Sequence, residues 1–321
     1  MKTKFIRMVV KEAKFLRSFK DAKNLYHKIT YAWPKFYGRS YKHRRVPPSL
    51  QLEPTNYCDL DCTCCSSSRS FREKGYMDFP LFQKIIDDAA LLRIRRVHLY
   101  LHGEPMLHPK IVDMIRYIKS KDIGFHLTTN GMRIDEETIT ALLHSGVDNA
   151  DHFLFSILGH DRSTHESIMR GVDHDRVIEN VLNFVRLRRA FGINGPIIET
   201  ILYKMPENEG ETGQFQQYWR GKVDHVQMGG RISKYFSEHN TNVSTSTPRT
   251  YACSKLWNRM AVYWDGRVTL CCADVDGAFV LGDLNHQSIQ EIWNSKRLLG
   301  VQKLHKMKRY QDVPLCAKCD V

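Results

Sequence analysis

From residue 49 onward the chain alternates short apolar runs with longer amphipathic ones, and this alternation limits the fold more than any other feature. Ser49–Glu53, Val97–Leu101, Gly124–Thr128, Phe153–Ile157, Pro196–Leu202 and Val223–Met228 read as strands. Leu81–Leu92, Lys110–Lys119, Asp135–Leu143, Asp175–Ala190 and Glu211–Trp219 carry helical spacing between them. Strand–helix–strand repetition needs parallel strands joined by crossover helices, an α/β architecture. Six such strands predict a partial (β/α)6 TIM-like barrel, open rather than closed at eight. Ligands of such sheets gather beyond the carboxyl ends of the strands.

Two segments flank this body. The first fifty residues hold 14 Lys and Arg against 2 Asp and Glu, which is +12 of the net +13. The charge is therefore local, and no nucleic-acid partner is expected. Phe5, Val9, Phe15, Leu16, Phe19, Ala22, Tyr26 and Ile29 recur at helical steps between lysines. One reading is a basic helix within residues 1–40 that touches an anionic membrane surface or a phosphate-bearing substrate; the other is a helix packed on the body with a solvated lysine face. Pro34, Pro47 and Pro48 end the segment. Beyond the body, Gly229-Gly230 and a Ser/Thr/Asn-rich stretch to residue 250 read as a linker. Three units result: a basic extension over 1–48, a barrel over 49–230 and a small α+β domain over 231–321. The last carries an Asp265-Gly266 hairpin and a helix over Ser288–Leu298. No run approaches the ~18 apolar residues of a membrane span, and the basic start lacks the apolar core of a signal peptide. The expected location is the cytoplasm, with the basic segment as a route to the inner membrane face. Nine cysteines in a reducing compartment point to metal ligation or catalysis rather than disulfides.

Cys58, Cys62, Cys64 and Cys65 follow the first strand. Cys58, Cys62 and Cys65, spaced x3 then x2, can take three corners of a cubane cluster and leave the fourth iron open. A zinc knot drawing on Cys64 is the alternative, although adjacent cysteines strain a single tetrahedral ion.

This loop resembles the signature of the radical S-adenosylmethionine (SAM) enzymes. Their further motifs are matched in order: His102-Gly103-Glu104-Pro105 is similar to a Gly-Gly-Glu-Pro motif that contacts the SAM amino group, and Thr129-Asn130-Gly131 resembles the third-strand motif. Ser156 and Arg170-Gly171 look like the family's ribose and carboxylate contacts. The resemblance covers about residues 49–228. It departs at His102, which replaces a glycine, and at Cys64, where a larger apolar residue normally stands. Cys64 reads either as a spare catalytic thiol or as a small buried hydrophobe. Cys253, Cys271, Cys272, Cys316 and Cys319 lie in a stretch resembling the SPASM/twitch extension. With five cysteines, the resemblance implies one auxiliary [4Fe–4S] cluster on Cys253, Cys271, Cys316 and Cys319, with Cys272 interchangeable with Cys271. A zinc ribbon is the competing reading. Four protein ligands leave no open iron, which suits electron transfer.

The resemblance implies reductive cleavage of SAM to a 5′-deoxyadenosyl radical that takes a hydrogen atom from substrate, with a reductant such as flavodoxin or ferredoxin. A net oxidation of a sugar-like or other polar molecule, free or carrier-linked, is the leading expectation, because an auxiliary cluster can accept the second electron. A peptide-modifying maturase or epimerase is the alternative, and a non-catalytic zinc or iron–sulfur protein belongs to another class. His98, His102, His126 and His152 lie on or beside strands, where satisfied core histidines are the simpler reading. Glu199, set among isoleucines in the fifth strand, is a candidate for SAM or substrate binding.

Overall fold

The computed structural model describes residues 43–230, 252–317 and 319. The helix expected near the start of the chain and most of the expected linker lie outside the described residues. In chain order the barrel elements are β1 (Leu50–Leu52), β2 (Asp61–Cys62), α1 (Phe79–Leu91), β3 (Arg96–Leu99), α2 (Ile111–Ser120), β4 (Gly124–Thr129) and α3 (Glu136–Leu143). They continue as β5 (His152–Ser156), α4 (Arg162–Ile168), β6 (Met169–Arg170), α5 (His174–Ala190), β7 (Ile197–Tyr203), α6 (Thr212–Trp219) and β8 (His225–Gly229). After them come α7 (Lys255–Asn258), β9 (Met260–Val262), β10 (Arg267–Thr269), β11 (Val280–Asp283), α8 (Ile289–Trp293), α9 (Lys296–Lys306) and α10 (Pro314–Ala317).

Among the described residues, nine strands form one sheet in the order β11-β10-β9-β1-β3-β4-β5-β7-β8. The six strands from β1 to β8 in this order are mutually parallel, as the alternation predicts, and β8 is the last strand of the sheet among the described residues. Period-two alternation divides the two faces. On one, Phe125 packs edge-on to Phe153 at 5.5 Å, and Phe153 reaches Phe184 of α5 at 5.0 Å. On the other, the rings of His98, His126 and His152 follow one another at 5.8 and 5.6 Å. Gln51, His98, His126 and His152 are register partners across four neighbouring strands. The helix-facing side is thus apolar and the barrel interior polar. The helices start where the sequence offers caps: Asp135 accepts the Thr138 N–H at 2.8 Å and Asp173 the Arg176 N–H at 3.1 Å.

Two findings differ from the sequence reading. The C-terminal unit is continuous with the barrel sheet: β9 pairs in parallel with β1, and β10 and β11 extend the edge antiparallel. Periodicity identifies a strand but not its neighbour. The single helix expected over Ser288–Leu298 is two, because the Asn294 side-chain amide donates to the Gln290 and Arg45 carbonyls while Ser295 caps α9. Among the described residues, no helix is long and apolar enough to cross a membrane.

Candidate active site and cluster sites

The loop after β1 holds its shape through local bonds. The Cys65 N–H donates to the Cys62 carbonyl at 3.1 Å, the Thr63 N–H to Ile168 O at 2.8 Å and the Ser67 N–H to Cys65 Sγ at 3.4 Å. β2 pairs antiparallel with β6, so that Asp61 faces Arg170 and Cys62 faces Met169. This pairing places the exposed Arg170 against the loop, 3.9 Å from Asp61.

Glu104 stands at the carboxyl end of β3 and is buried. Its carboxylate accepts the Met106 N–H at 3.0 Å, the Thr129 hydroxyl at 2.8 Å and the Asn130 N–H at 2.7 Å. The Asn130 amide in turn donates to Asp59 at 2.8 Å, and Arg133 donates to the other Asp59 oxygen at 2.8 Å. Asp59 thereby ties the cysteine loop to the end of β4, a link that the sequence motifs leave unseen although Asp59 lies between two of the cysteines. Gly103 has φ +73°, and a Cβ there would lie 2.5 Å from the Thr55 carbonyl, so no side chain fits. Pro105 opens a short turn, and Ser156 ends β5 opposite Ile201. The structure therefore gathers Cys58, Cys62, Cys65, Gly103, Glu104, Pro105, Thr129 and Asn130 at adjoining strand ends. Glu199 has other company: it is hydrogen-bonded to His152 and to Gln227 on the interior face.

Charge follows burial. Desolvation pushes Glu104 up to about 7 against its three hydrogen bonds. Desolvation of the sulfur pushes the Cys58 thiol up to about 12 although the residue as a whole is exposed, with Glu104 and Asp59 adding repulsion, and it raises the half-buried Cys62 as well. These thiols stay protonated at neutral pH until a metal takes their protons' place. Cys64 is buried in the core, and its thiol is likewise raised to about 12, the environment of a small apolar side chain. Burial opposes the charge on Glu199, but His152 overcomes it and holds the carboxyl below its usual range. Burial and then the neighbouring His152 depress His126 to about 3, and its buried Nε2 has no hydrogen-bond partner among the described residues.

The C-terminal cysteines converge from separate elements. Lys255 donates to Cys272 Sγ at 3.0 Å and feels the charge of Cys271 and Cys253. The Ala273 N–H donates to Cys271 Sγ at 3.4 Å. His305 bridges the Cys253 backbone and Cys316 Sγ, both at 3.3 Å, and Cys319 follows one turn after Cys316. Lys255 and His305 were not candidates from sequence; the lysine's place two residues after Cys253 was the available signal. Among the described residues, no three His, Cys, Asp or Glu side chains converge on a point as ligands of a single ion. The thiol-rich donor sets, each with an amide N–H aimed at a cysteine sulfur, fit an iron–sulfur cluster, whose ligands stand apart at its corners.

Residues 52–213, half the chain, match the radical SAM superfamily, and residues 253–320 match the SPASM iron–sulfur cluster-binding domain. The chain belongs to the radical SAM superfamily. Its cofactors are SAM, the SAM-binding [4Fe–4S] cluster and auxiliary iron–sulfur centres of the SPASM part. It is 24% identical to the tungsten-containing aldehyde ferredoxin oxidoreductase cofactor-modifying protein of Pyrococcus furiosus, across 85% of this chain and 87% of the relative. It is 31% identical to the PqqA peptide cyclase of Gluconobacter oxydans, over only 32% of this chain and 29% of that protein. Among solved structures, Streptococcus suis SuiB bound to precursor peptide SuiA superposes with a TM-score of 0.67 at 16% identity, over 89% of this chain and 72% of that one.

Proposed function

We propose that the chain is a radical SAM maturase that removes a hydrogen atom from a peptide substrate inside the barrel and completes a two-electron oxidation. The observation that carries this reading is topological. β9 runs parallel to β1 and β10 runs back, so Cys271 follows β10 at the end of the sheet opposite the Cys58–Cys65 loop. At least the three residues of β1, about 10 Å of strand, separate the two ends. The polar interior lies between them, an arrangement that suits removal of a hydrogen atom from one side of the substrate and an electron from the other.

Cys58, Cys62 and Cys65 would hold the first cluster, and Cys253, Cys271, Cys316 and Cys319 the second. When bound, the first group with SAM supplies the 5′-deoxyadenosyl radical, and the second supplies an acceptor for the electron left after the substrate radical loses a proton. Gly103 keeps backbone close to the loop, and Glu104 with Thr129 and Asn130 fixes the strand ends that would receive the SAM methionyl group. Ser156 and Arg170 would take its ribose and carboxylate. The interior wall is formed by His98, Tyr100, His126 and His152. The neutral His126, whose Nε2 has no hydrogen-bond partner among the described residues, would bond the substrate, while Glu199 orients His152 as a proton acceptor. Cys64 stays out of the chemistry as core.

The names of the cited relatives support a peptide or protein-borne substrate. The polar interior favours a second reading, a small polar molecule oxidised by the same steps. Incubating the reconstituted, reduced enzyme with SAM and substrates deuterated at the attacked carbon separates them. Deuterium in 5′-deoxyadenosine from a precursor peptide encoded beside the gene supports the maturase. Deuterium from sugars or cyclitols alone transfers the function to small molecules, and no 5′-deoxyadenosine with any substrate sinks both.

A further inference from the structure

We infer that His305 is a positioning residue that tunes the C-terminal cluster toward electron acceptance through an N–H···S hydrogen bond to Cys316. The inference rests on the reading above that Cys316 is a ligand of an electron-accepting cluster. His305 lies in the last turn of α9 and is 1% exposed. The Cys253 N–H points at its Nδ1 at 3.3 Å. A backbone N–H can only donate, so Nδ1 must present its lone pair, and the neutral ring carries its proton on Nε2. That Nε2–H faces Cys316 Sγ at 3.3 Å. Tyr310 packs edge-on against the imidazole at 5.1 Å and helps to fix its plane. One buried ring thus spans two of the four expected ligands, its acceptor side on Cys253 and its donor side on Cys316.

The consequence is electrostatic. Reduction adds one negative charge to the centre, and the ligand sulfurs carry part of it. A fixed N–H dipole aimed at one of them stabilises the reduced form more than the oxidised form and raises the potential. A cluster that must take an electron from a substrate radical gains from this bias.

The test uses the full chain with Cys58, Cys62 and Cys65 changed to Ala, leaving the C-terminal cluster alone to be followed by EPR-monitored redox titration. His305→Leu removes both bonds and should lower the reduced-to-oxidised ratio at a fixed potential at least threefold, about 28 mV at ~59 mV per tenfold. His305→Gln can accept from the Cys253 N–H and donate to the sulfur, and should stay close to the parent. If the leucine variant does not assemble a cluster, pulsed EPR of the parent labelled with 15N-histidine decides, with one weakly coupled histidine nitrogen expected. Equal potentials for His, Gln and Leu, or no coupled nitrogen, would overturn the role of His305 and leave the two-cluster reading standing. A parent chain with no reducible C-terminal cluster would instead overturn the reading beneath it.

Discussion

Glu53 and Arg72 form a two-pronged ion pair, at 2.9 and 2.7 Å, with side chains 0% and 3% exposed. Glu53 directly follows β1 and Arg72 follows the cysteine loop. The same carboxylate accepts the Trp264 N–H at 3.1 Å, while Arg72 donates to Val275 O at 2.7 Å and lies over the Tyr263 ring at 3.9 Å. One buried pair thereby fastens the loop that would carry the SAM cluster to the β9–β10 hairpin.

Burial pushes the Glu53 carboxyl up, and Arg72 opposes that push. Removing the arginine leaves a carboxylate without its counter-charge, so Arg72→Met should cost about 3–5 kcal/mol. Arg72→Lys should recover only part, because an ammonium cannot reproduce the planar fork. Urea unfolding of the metal-free chain measures both, and an Arg72→Met variant as stable as the parent would show that the pair does not hold the two parts together.

Glu104 provides a pH dependence. Its folded-state pKa of about 7 lies above the ordinary 4.5, so between these values the folded chain keeps a proton that the unfolded chain has released. Stability of the metal-free protein should therefore fall as pH rises from about 4.5 to about 7, by about 3 kcal/mol from this group, and then level off. Glu104→Gln removes that slope. It also turns an amide NH2 toward one of three donors, a cost of roughly 1–3 kcal/mol at every pH. Should the variant retain the parent's slope, the titrating group lies elsewhere.

Gly103 tolerates no Cβ, since the Thr55 and Tyr57 carbonyls would lie 2.5 and 2.6 Å from it and φ is +73°. Gly103→Ala should cost about 1–3 kcal/mol in backbone strain and push Glu104 away from Asn130. The expected readout is SAM affinity of the reconstituted enzyme weakened at least tenfold, measured by equilibrium dialysis. Unchanged affinity would separate this turn from the SAM site.

What was legible in the sequence was local. Phe125, His126 and Leu127 alternate sides because a strand has period two, and Cys58, Cys62, Cys65, Gly103, Glu104, Thr129 and Asn130 sit in contiguous motifs whose spacing survives folding. What was not legible joins separate elements: β9 against β1, Arg72 on Glu53, Arg133 on Asp59, His305 on Cys316. Each depends on how elements pack in space, and neither composition nor periodicity encodes that. The split between α8 and α9 is hidden from the sequence for a related reason, because the Asn294 amide that interrupts the helix also binds the Arg45 carbonyl.

The two thiol sets should separate in function. Cys58→Ala removes one of three thiols on a loop that offers no substitute: Cys64 is buried in the core, and its neighbours Cys62 and Cys65 are already committed. SAM cleavage by the reduced enzyme should fall to background. Cys316→Ala alters the other thiol set, on α10 beside His305, and should leave 5′-deoxyadenosine formation within about twofold. Product formation should nevertheless stop, because the hydrogen atom can still leave but the electron has lost its acceptor. The measurement is the ratio of 5′-deoxyadenosine to oxidised product, near unity in the parent and much greater in Cys316→Ala. A Cys316→Ala enzyme that still converts substrate at the parent's ratio would make the C-terminal centre a structural staple, and the oxidation would then need another route for its second electron.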